Sequence, residues 1–554
     1  MTAGLSRFLL LLLAAVAAVQ AVLLVRFELN WDEFLNLSMV YDHHRGELRE
    51  VLQTAFVHLF PWVSSVSPIE VQQVIAARIL IAAFALVTSW AIWASARQLS
   101  SPAAALFAVF VYWSFSYVMQ HGLALRTDTL AAAPIMVALW LVLTRGGEKR
   151  MVVLAGLALG LAGAMTIKAI FFVPTLAIIA FLRASEMRGW RSGVVSVMLA
   201  GLASMAAFAA VIGLHALTFD SFANPLAFLG RTTQATLSDT NRSVFVVYAA
   251  YSIIENPGFY VLLMVTVVTV VRMIAAGAQR VQGAIAVALL LPLLIPLVYR
   301  DMFPYFYAMV LPPVAVALSM GVEAILRRPS RRDLVALMVL FIGGWCFSLY
   351  AALSQTNAHQ AAILRVIHDR FPAGSRYIDG RTMVSSFQKE GLFMSGWGMS
   401  DYRAAGVPVM AEVLRNTPPA FLLANDPALY LDEITPEQSE ASPLGLLAAD
   451  VRTLQDNFVP FWGPIWVPGH RIAAGDASIA AFAAGTYVNR GPGTVEVAGR
   501  LVEPGATIEL AQGMNPVVAG ADTTLAVAIE SPVEAPPDRP IFGGFLWRYL
   551  SKPE

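Results

Sequence analysis

Phe8-Leu-Leu-Leu-Leu-Leu-Ala-Ala-Val-Ala-Ala-Val-Gln-Ala-Val-Leu-Leu-Val25 is followed by Arg26 and then by Phe27-Glu-Leu-Asn-Trp-Asp-Glu-Phe34. Apart from Gln20 the first stretch is apolar throughout, and about 20 such residues cross a hydrocarbon core. The second stretch sets two adjacent acids, Asp32 and Glu33, where such a helix would deliver the chain to the far side of a membrane. Ala18-Val-Gln-Ala21 would suit a signal-peptide cleavage site, but the run is longer than a typical signal core and Arg7 is the only clear charge before it, so an uncleaved helix is expected.

The rest of the chain repeats the pattern. Of 554 residues 58% are apolar and 13% charged, with a mean hydropathy of +0.66, which is too apolar for a soluble multidomain protein. The net charge of zero argues against a nucleic-acid partner, and the single cysteine, Cys346, excludes an intramolecular disulfide and a cysteine-based metal cluster. Eleven spans are expected, at about 8–25, 75–96, 102–119, 129–144, 151–166, 169–182, 193–217, 245–271, 283–299, 305–325 and 333–353. The expected fold class is therefore an all-α polytopic membrane bundle followed by a soluble α/β unit and a small β-rich unit.

Charge in the connections orients the bundle through the excess of Lys and Arg in cytoplasmic loops. Arg97, Arg145, Lys149, Arg150, Arg183, Arg188, Arg191, Arg272, Arg280, Arg327, Arg328, Arg331 and Arg332 fall on one side. Residues 26–74, 120–128, the turn at Thr166 to Lys168, 218–244, 300–304 and everything after Leu353 fall on the other. The expectation is a multi-pass protein of a bacterial inner membrane, with its N-terminus cytoplasmic and its C-terminal region periplasmic.

Within the long first outer loop, Leu48, Val51, Leu52, Ala55, Phe56 and Leu59 keep the spacing of one helix face, with Glu47, Glu50, Gln53 and His58 on the other, which predicts a helix lying in the membrane plane. Phe219, Phe222, Leu226 and Phe228 are expected to wall the same outer face. The domain reading is 1–353 for the membrane part, with its loop 26–74; 354–475 for an α/β domain; 476–531 for a small β domain; and 532–554 for a linker and a tail that touches the membrane surface.

The outer side also collects ionisable residues. Asp32 and Glu33 cannot both point the same way, since neighbours on a helix diverge by roughly 100°; they either cap the following helix or do chemistry. Arg126 and Asp128 follow His121 at the mouth of the fourth span, Lys168 is the sole charge between Arg150 and Arg183, and Arg300 and Asp301 precede Met-Phe-Pro-Tyr-Phe-Tyr307. Mutual pairing or snorkelling accounts for each alone; a phosphate accounts for a Lys and two Args at one depth. His43 and His44 lack the i, i+4 spacing of a helical zinc site and read as a solvated face, and the outer loops hold no Asp-x-Asp. No metal is therefore expected.

Asp32-Glu33 after the first helix, Arg126-Thr-Asp128, Thr166-Ile-Lys168 and Phe303-Pro-Tyr-Phe-Tyr-Ala-Met-Val-Leu-Pro-Pro313 together resemble the GT-C glycosyltransferases, in the bacterial branch related to protein mannosyltransferases and the lipid A aminoarabinose transferase. The resemblance covers roughly the first 350 residues. It departs where many relatives follow Asp-Glu with a small residue and Tyr, whereas Phe34, Leu35 and Asn36 stand here. It implies transfer of a sugar from a polyprenyl-phosphate donor to a glycan, lipid or protein acceptor at the membrane, by an inverting single displacement without an obligatory metal or other cofactor. In that chemistry Asp32 is the expected base, its pKa raised by partial desolvation; Glu33 and Asp128 orient the acceptor or bind sugar hydroxyls. Arg126, Lys168 and Arg300 hold the phosphate, with Tyr305 and His121 lining the substrate. The alternatives are a lipid-linked sugar transporter or flippase, disfavoured because its charges belong at the bilayer midplane, and a noncatalytic membrane partner that binds glycan.

Overall fold

The structure is a computed structural model and describes residues 2–225, 230, 242–277, 279–299, 302–328, 332–536 and 541–542. Its contacts divide the chain into two compact units that interleave in sequence: Met1–Phe27, Asp42–Val63 and Ile75–Thr356 form the first; Glu28–Tyr41, Ser64–Val74 and Asn357–Glu554 form the second.

The first unit is a helical bundle. Nine helices among the described residues are long and apolar enough to cross a membrane, and two shorter apolar helices, Pro102–Ser114 and Val246–Glu255, accompany them. Their burial is graded as a bilayer requires. In Pro304–Leu326 83% of the apolar window is buried by protein, whereas in Trp190–Ala216 only 11% is, so Met198, Leu202, Met205 and Leu214 stand open to the lipid. Small residues let helices approach closely. Gly156 and Gly160 of Lys149–Met165 meet Trp190–Ala216 so tightly that a Cβ on Gly160 would lie 2.3 Å from the carbonyl oxygen of Ser204.

Two expected spans are broken, and their breaks hold each other. The 102–119 run divides at Phe115, between Pro102–Ser114 and Ser116–His121. The 245–271 run divides at Asn256, between Arg242–Glu255 and Pro257–Ala276, so the second long helix runs further than expected. The Asn256 amide accepts from Ser116 N at 2.8 Å and donates to Ser116 Oγ and to the Ser252 carbonyl, both at 2.9 Å. Backbone groups released at both breaks are thereby satisfied inside the bundle, the condition on which irregular backbone is tolerated at membrane depth.

The second unit is mixed α/β. Its strands are β1 (Arg376–Asp379), β2 (Gln388–Glu390), β3 (Phe421–Leu423), β4 (Phe458–Trp462), β5 (Ile465–Ile472), β6 (Ser478–Ala481), β7 (Gly485–Asn489), β8 (Val495–Val497), β9 (Arg500–Val502), β10 (Thr507–Leu510), β11 (Gly513–Ala519) and β12 (Thr523–Val527). One sheet runs β10-β7-β12-β5-β3-β1-β2, with β4 also on β5; a smaller one runs β6-β11-β8-β9. Pairing is parallel for β2-β1-β3 and antiparallel elsewhere. The larger sheet thus takes strands from both sides of residue 476. β5, at its centre, is buried on both faces, whereas β10 alternates. The helices of this unit include Ala358–Arg370, Met410–Asn416 and Ala448–Asn457. Of the expected linker and tail, 537–540 and 543–554 lie outside the described residues.

The expected in-plane helix at 48–59 does not form. The helix of this loop lies earlier, Trp31–His44, and residues 48–54 are irregular up to a single 3-10 turn, Ala55–Leu59. Gln53 takes a left-handed φ of 66°, which ends any helix running through it, and Thr54 turns its hydroxyl back onto the Glu50 carbonyl at 2.5 Å.

Candidate functional site

In the first unit, Arg126 is the N-cap of helix Thr127–Arg145, and Thr129 Oγ1 donates to the Arg126 carbonyl at 2.7 Å. Asp128, in the first turn, is fully buried and suits the positive end of the helix. Lys168 belongs to the 3-10 turn Ile167–Phe172, whose N-cap is the buried Thr166. These elements meet. Lys168 Nζ donates to the two Asp128 carboxylate oxygens at 3.2 and 3.4 Å, and an Arg126 Nη lies 3.5 Å from Asp128. The guanidinium sits 3.3 Å from the centre of the Tyr305 ring, and Lys168 Nζ lies 5.1 Å from the Phe306 ring centre and 5.7 Å from that of Tyr299. Arg126, Asp128, Lys168 and Tyr305 are thus brought together, as a buried constellation and not the surface pair that Arg126 and Asp128 alone would suggest. Two cations are held in register by one carboxylate against aromatic faces, an arrangement able to receive an anion.

His121 ends helix Ser116–His121, half-buried and just ahead of this constellation in sequence. Arg300 and Asp301 lie outside the described residues, as do Leu226 and Phe228. Tyr299 escaped the sequence reading, and Phe306 entered it only as part of the aromatic motif 303–313; aromatic residues flanking the outer-side Arg300 and Asp301 were the signal.

Asp32 and Glu33 fall in the second unit, in the first turn of Trp31–His44, and both are buried. Asn30 is the cap: its Oδ1 accepts from Asp32 N at 2.9 Å, while the Glu33 carboxylate accepts from Asn30 N at 3.1 Å. This is a reciprocal capping arrangement. Glu33 therefore has the structural task foreseen for the acid pair. Around them in the same unit, the Arg381 guanidinium lies 4.8 Å from the Trp31 ring centre and pairs with Asp426 at 2.6 Å, and Ser385 Oγ donates to the Phe34 carbonyl at 3.3 Å. Glu70 accepts from Ser386 N and Oγ at 3.2 and 2.5 Å and pairs with His368 Nε2 at 2.9 Å.

The expectation that no metal is involved is corrected by a second cluster in the first unit. His43, His58 and His215 gather with ligand atoms all within 4.8 Å of one another, an arrangement able to hold a metal ion. His58 Nε2 and His215 Nδ1 are 2.8 Å apart. Partial desolvation lowers the pKa of half-buried His43 and, although its residue is exposed, of His58 below the usual imidazole value, with His58 and His44 adding to it at His43. His43 was read as solvated because its neighbour His44 is wrongly spaced for a shared metal; its partners come instead from a turn and from the end of an apolar helix. The isolated His215, closing the 27-residue helix Trp190–Ala216, was the overlooked signal.

The family model described as dolichyl-phosphate-mannose-protein mannosyltransferase matches residues 59–214. Comparison with curated proteins returned no match. Among solved structures, ArnT from Cupriavidus metallidurans bound to undecaprenyl phosphate is similar with a TM-score of 0.54 at 14% identity, over 77% of this chain and 94% of that one. The oligosaccharyltransferase AglB from Archaeoglobus fulgidus, in complex with an inhibitory peptide and a dolichol-phosphate, gives 0.50 at 10% identity, over 94% and 97%. The Archaeoglobus fulgidus oligosaccharyltransferase in complex with Zn and sulfate gives 0.47 at 11% identity, over 94% and 98%. At these identities the likeness is one of fold.

Proposed function

We propose, from the premise that this chain has the fold of the GT-C superfamily of polyprenyl-phosphate-dependent membrane glycosyltransferases, that it transfers a sugar from a polyprenyl-phosphate donor to an acceptor hydroxyl on the periplasmic side of a bacterial inner membrane. The observation that carries this reading is the Arg126–Asp128–Lys168 constellation against Tyr305, where one carboxylate is shared by two cations. A polyprenyl phosphate leaves as a stabilised anion, so the group most needed is a positive cradle fixed in advance. Asp128 in this reading orients the two cations. Lys168 and Arg126 bind the phosphate, joined by Arg300 on sequence grounds, and His121 and Tyr305 line the donor.

Asp32 is the base in this reading. It takes the acceptor proton as the acceptor oxygen attacks the anomeric carbon; the bond from that carbon to the phosphate oxygen breaks, the electron pair leaves with the lipid phosphate, and the anomeric configuration inverts. The identity of the branch, the sugar and the acceptor class (glycan, lipid or protein) belong to the same reading.

The test is incubation of the purified full chain with a labelled polyprenyl-phosphate sugar and candidate acceptors in liposomes. Release of lipid phosphate with sugar on the acceptor, lost in Lys168→Met, supports transfer. Movement of the intact donor across the bilayer without cleavage, or binding alone, refutes it.

A further inference from the structure

We propose that His43, His58 and His215 form a three-imidazole site for a divalent transition metal of the zinc class, clamping the 42–63 segment to the end of helix Trp190–Ala216. The ligands come from three places: the end of Trp31–His44, the turn Ala55–Leu59, and the last turn of Trp190–Ala216.

The hydrogen bonds around the cluster settle which nitrogens face the metal. Thr218 Oγ1 donates its only proton to the His215 carbonyl at 2.7 Å, so its contact with His43 Nε2 at 3.0 Å has the imidazole donating. Thr54 Oγ1 directs its proton to the Glu50 carbonyl, so His215 Nε2 donates to Thr54 at 2.9 Å. Both imidazoles therefore carry hydrogen on Nε2 and present Nδ1 as a lone pair. His58 places Nε2 beside the His215 Nδ1. In the metal-free protein His58 Nε2–H bridges to that lone pair; a metal takes its place once the proton moves to His58 Nδ1. The outer nitrogens of His43 and His215 are thus each held by a threonine, the supporting contact that metal-bound histidines regularly possess.

Geometry and ligand type agree. In a tetrahedral site with bonds of about 2.0–2.1 Å, ligand nitrogens sit about 3.3 Å apart, so the pair now 2.8 Å apart opens slightly and the remaining pairs, all within 4.8 Å, close. Three neutral imidazoles and no carboxylate select zinc, cobalt, nickel or copper over magnesium or calcium. A fourth position is left for water. The competing account is an aromatic cluster, since His215 and His43 also lie edge-on to Phe219 at 4.8 and 5.9 Å.

The clamp has a consequence for the cation cradle. The 42–63 segment includes Gln53, whose Oε1 accepts from Thr166 Oγ1 at 3.3 Å, and Thr166 caps the turn that carries Lys168. Metal occupancy thereby steadies that turn; this last step rests on the proposed transfer reaction, and metal binding does not.

The experiment is titration of the tag-free, metal-stripped full chain in detergent with Zn(II) and with Co(II), read by calorimetry and visible absorption. One equivalent binds, and Co(II) develops the intense bands of a tetrahedral site. His58→Gln and His215→Gln abolish both signals; Thr54→Val, which leaves all three ligands in place, weakens affinity by about 10- to 100-fold; His44→Gln changes neither. Absence of the cobalt bands in the unmodified protein, or full stoichiometry retained in both histidine variants, overturns the site. Metal binding without sugar transfer leaves the site standing and removes the proposed reaction, whereas transfer without metal binding does the reverse.

Discussion

Asp128→Asn keeps the side chain's shape and withdraws one negative charge from a position with no solvent exposure. The carboxylate lies 3.2 Å from Lys168 Nζ and 3.5 Å from an Arg126 Nη. At an effective dielectric of about 20 each attraction is on the order of 5 kcal/mol before desolvation is counted. Desolvation opposes it, so the better guide is the cost of removing one partner of a buried pair, about 3–5 kcal/mol. The side chains of Arg126 and Lys168 are only 8% and 17% exposed, so water replaces little of what Asp128 supplies. Lys168→Met alone should cost less, because Asp128 retains Arg126. In Asp128→Asn/Lys168→Met one stranded cation is gone, so the double variant should be more stable than the sum of the singles by about 0.5–3 kcal/mol. Denaturant unfolding in detergent, followed by tryptophan fluorescence, measures all four proteins. Unfolding of Asp128→Asn with the unmodified protein, or plain additivity in the double variant, would refute the pairing argument.

Three further outcomes are expected. Asp32→Asn should abolish sugar transfer while leaving binding of the labelled donor largely intact; robust turnover by that variant removes Asp32 as base. Gly160→Val forces a methyl-bearing carbon into the 2.3 Å gap to the Ser204 carbonyl and should cost at least about 1–3 kcal/mol, seen as an earlier thermal transition, whereas Gly201→Ala, with open space at its Cβ, should not. His470 is buried, donates Nδ1–H to the Asp456 carbonyl at 3.0 Å and has no hydrogen-bond partner for Nε2 among the described residues, and burial holds its pKa below the usual value. The unfolded chain therefore takes up this proton first, and stability falls as pH drops below about 6.5, by at most about 1.4 kcal/mol per pH unit. His470→Leu should flatten that part of the melting-temperature profile between pH 7.5 and 5, and an unchanged acid slope would show that the imidazole is not kept neutral.

The spans and the candidate site were legible to different depths. Apolar length is a local property, so the long helices follow from the sequence; Phe115 looks unremarkable within its run, whereas Asn256-Pro-Gly258 carried a local break signal that the apolar length masked. Only the meeting of Asn256 with Ser116, 140 residues apart, makes the breaks stable. Alternation is a local property too, as in Thr507–Leu510, yet the order of the strands across one sheet depends on pairings such as β12 with β5 and β7 that no short window contains. In the same way, Leu48 to Leu59 had a convincing helical period, and one left-handed residue, Gln53, overrode it.

What the sequence by itself determined was partition: which runs are long and apolar enough to enter lipid, and where a water-soluble composition begins. These depend on the free energy of moving each segment between water and hydrocarbon, which adds up residue by residue. The tertiary structure decided partnership. Asp128 between two cations, Glu33 as a cap, and His43 with His58 and His215 rest on contacts of a few ångströms between residues distant in the chain or on the local turn that aims them. Hydrogen bonding and ligation fall off so steeply with distance and angle that composition and spacing carry no record of them.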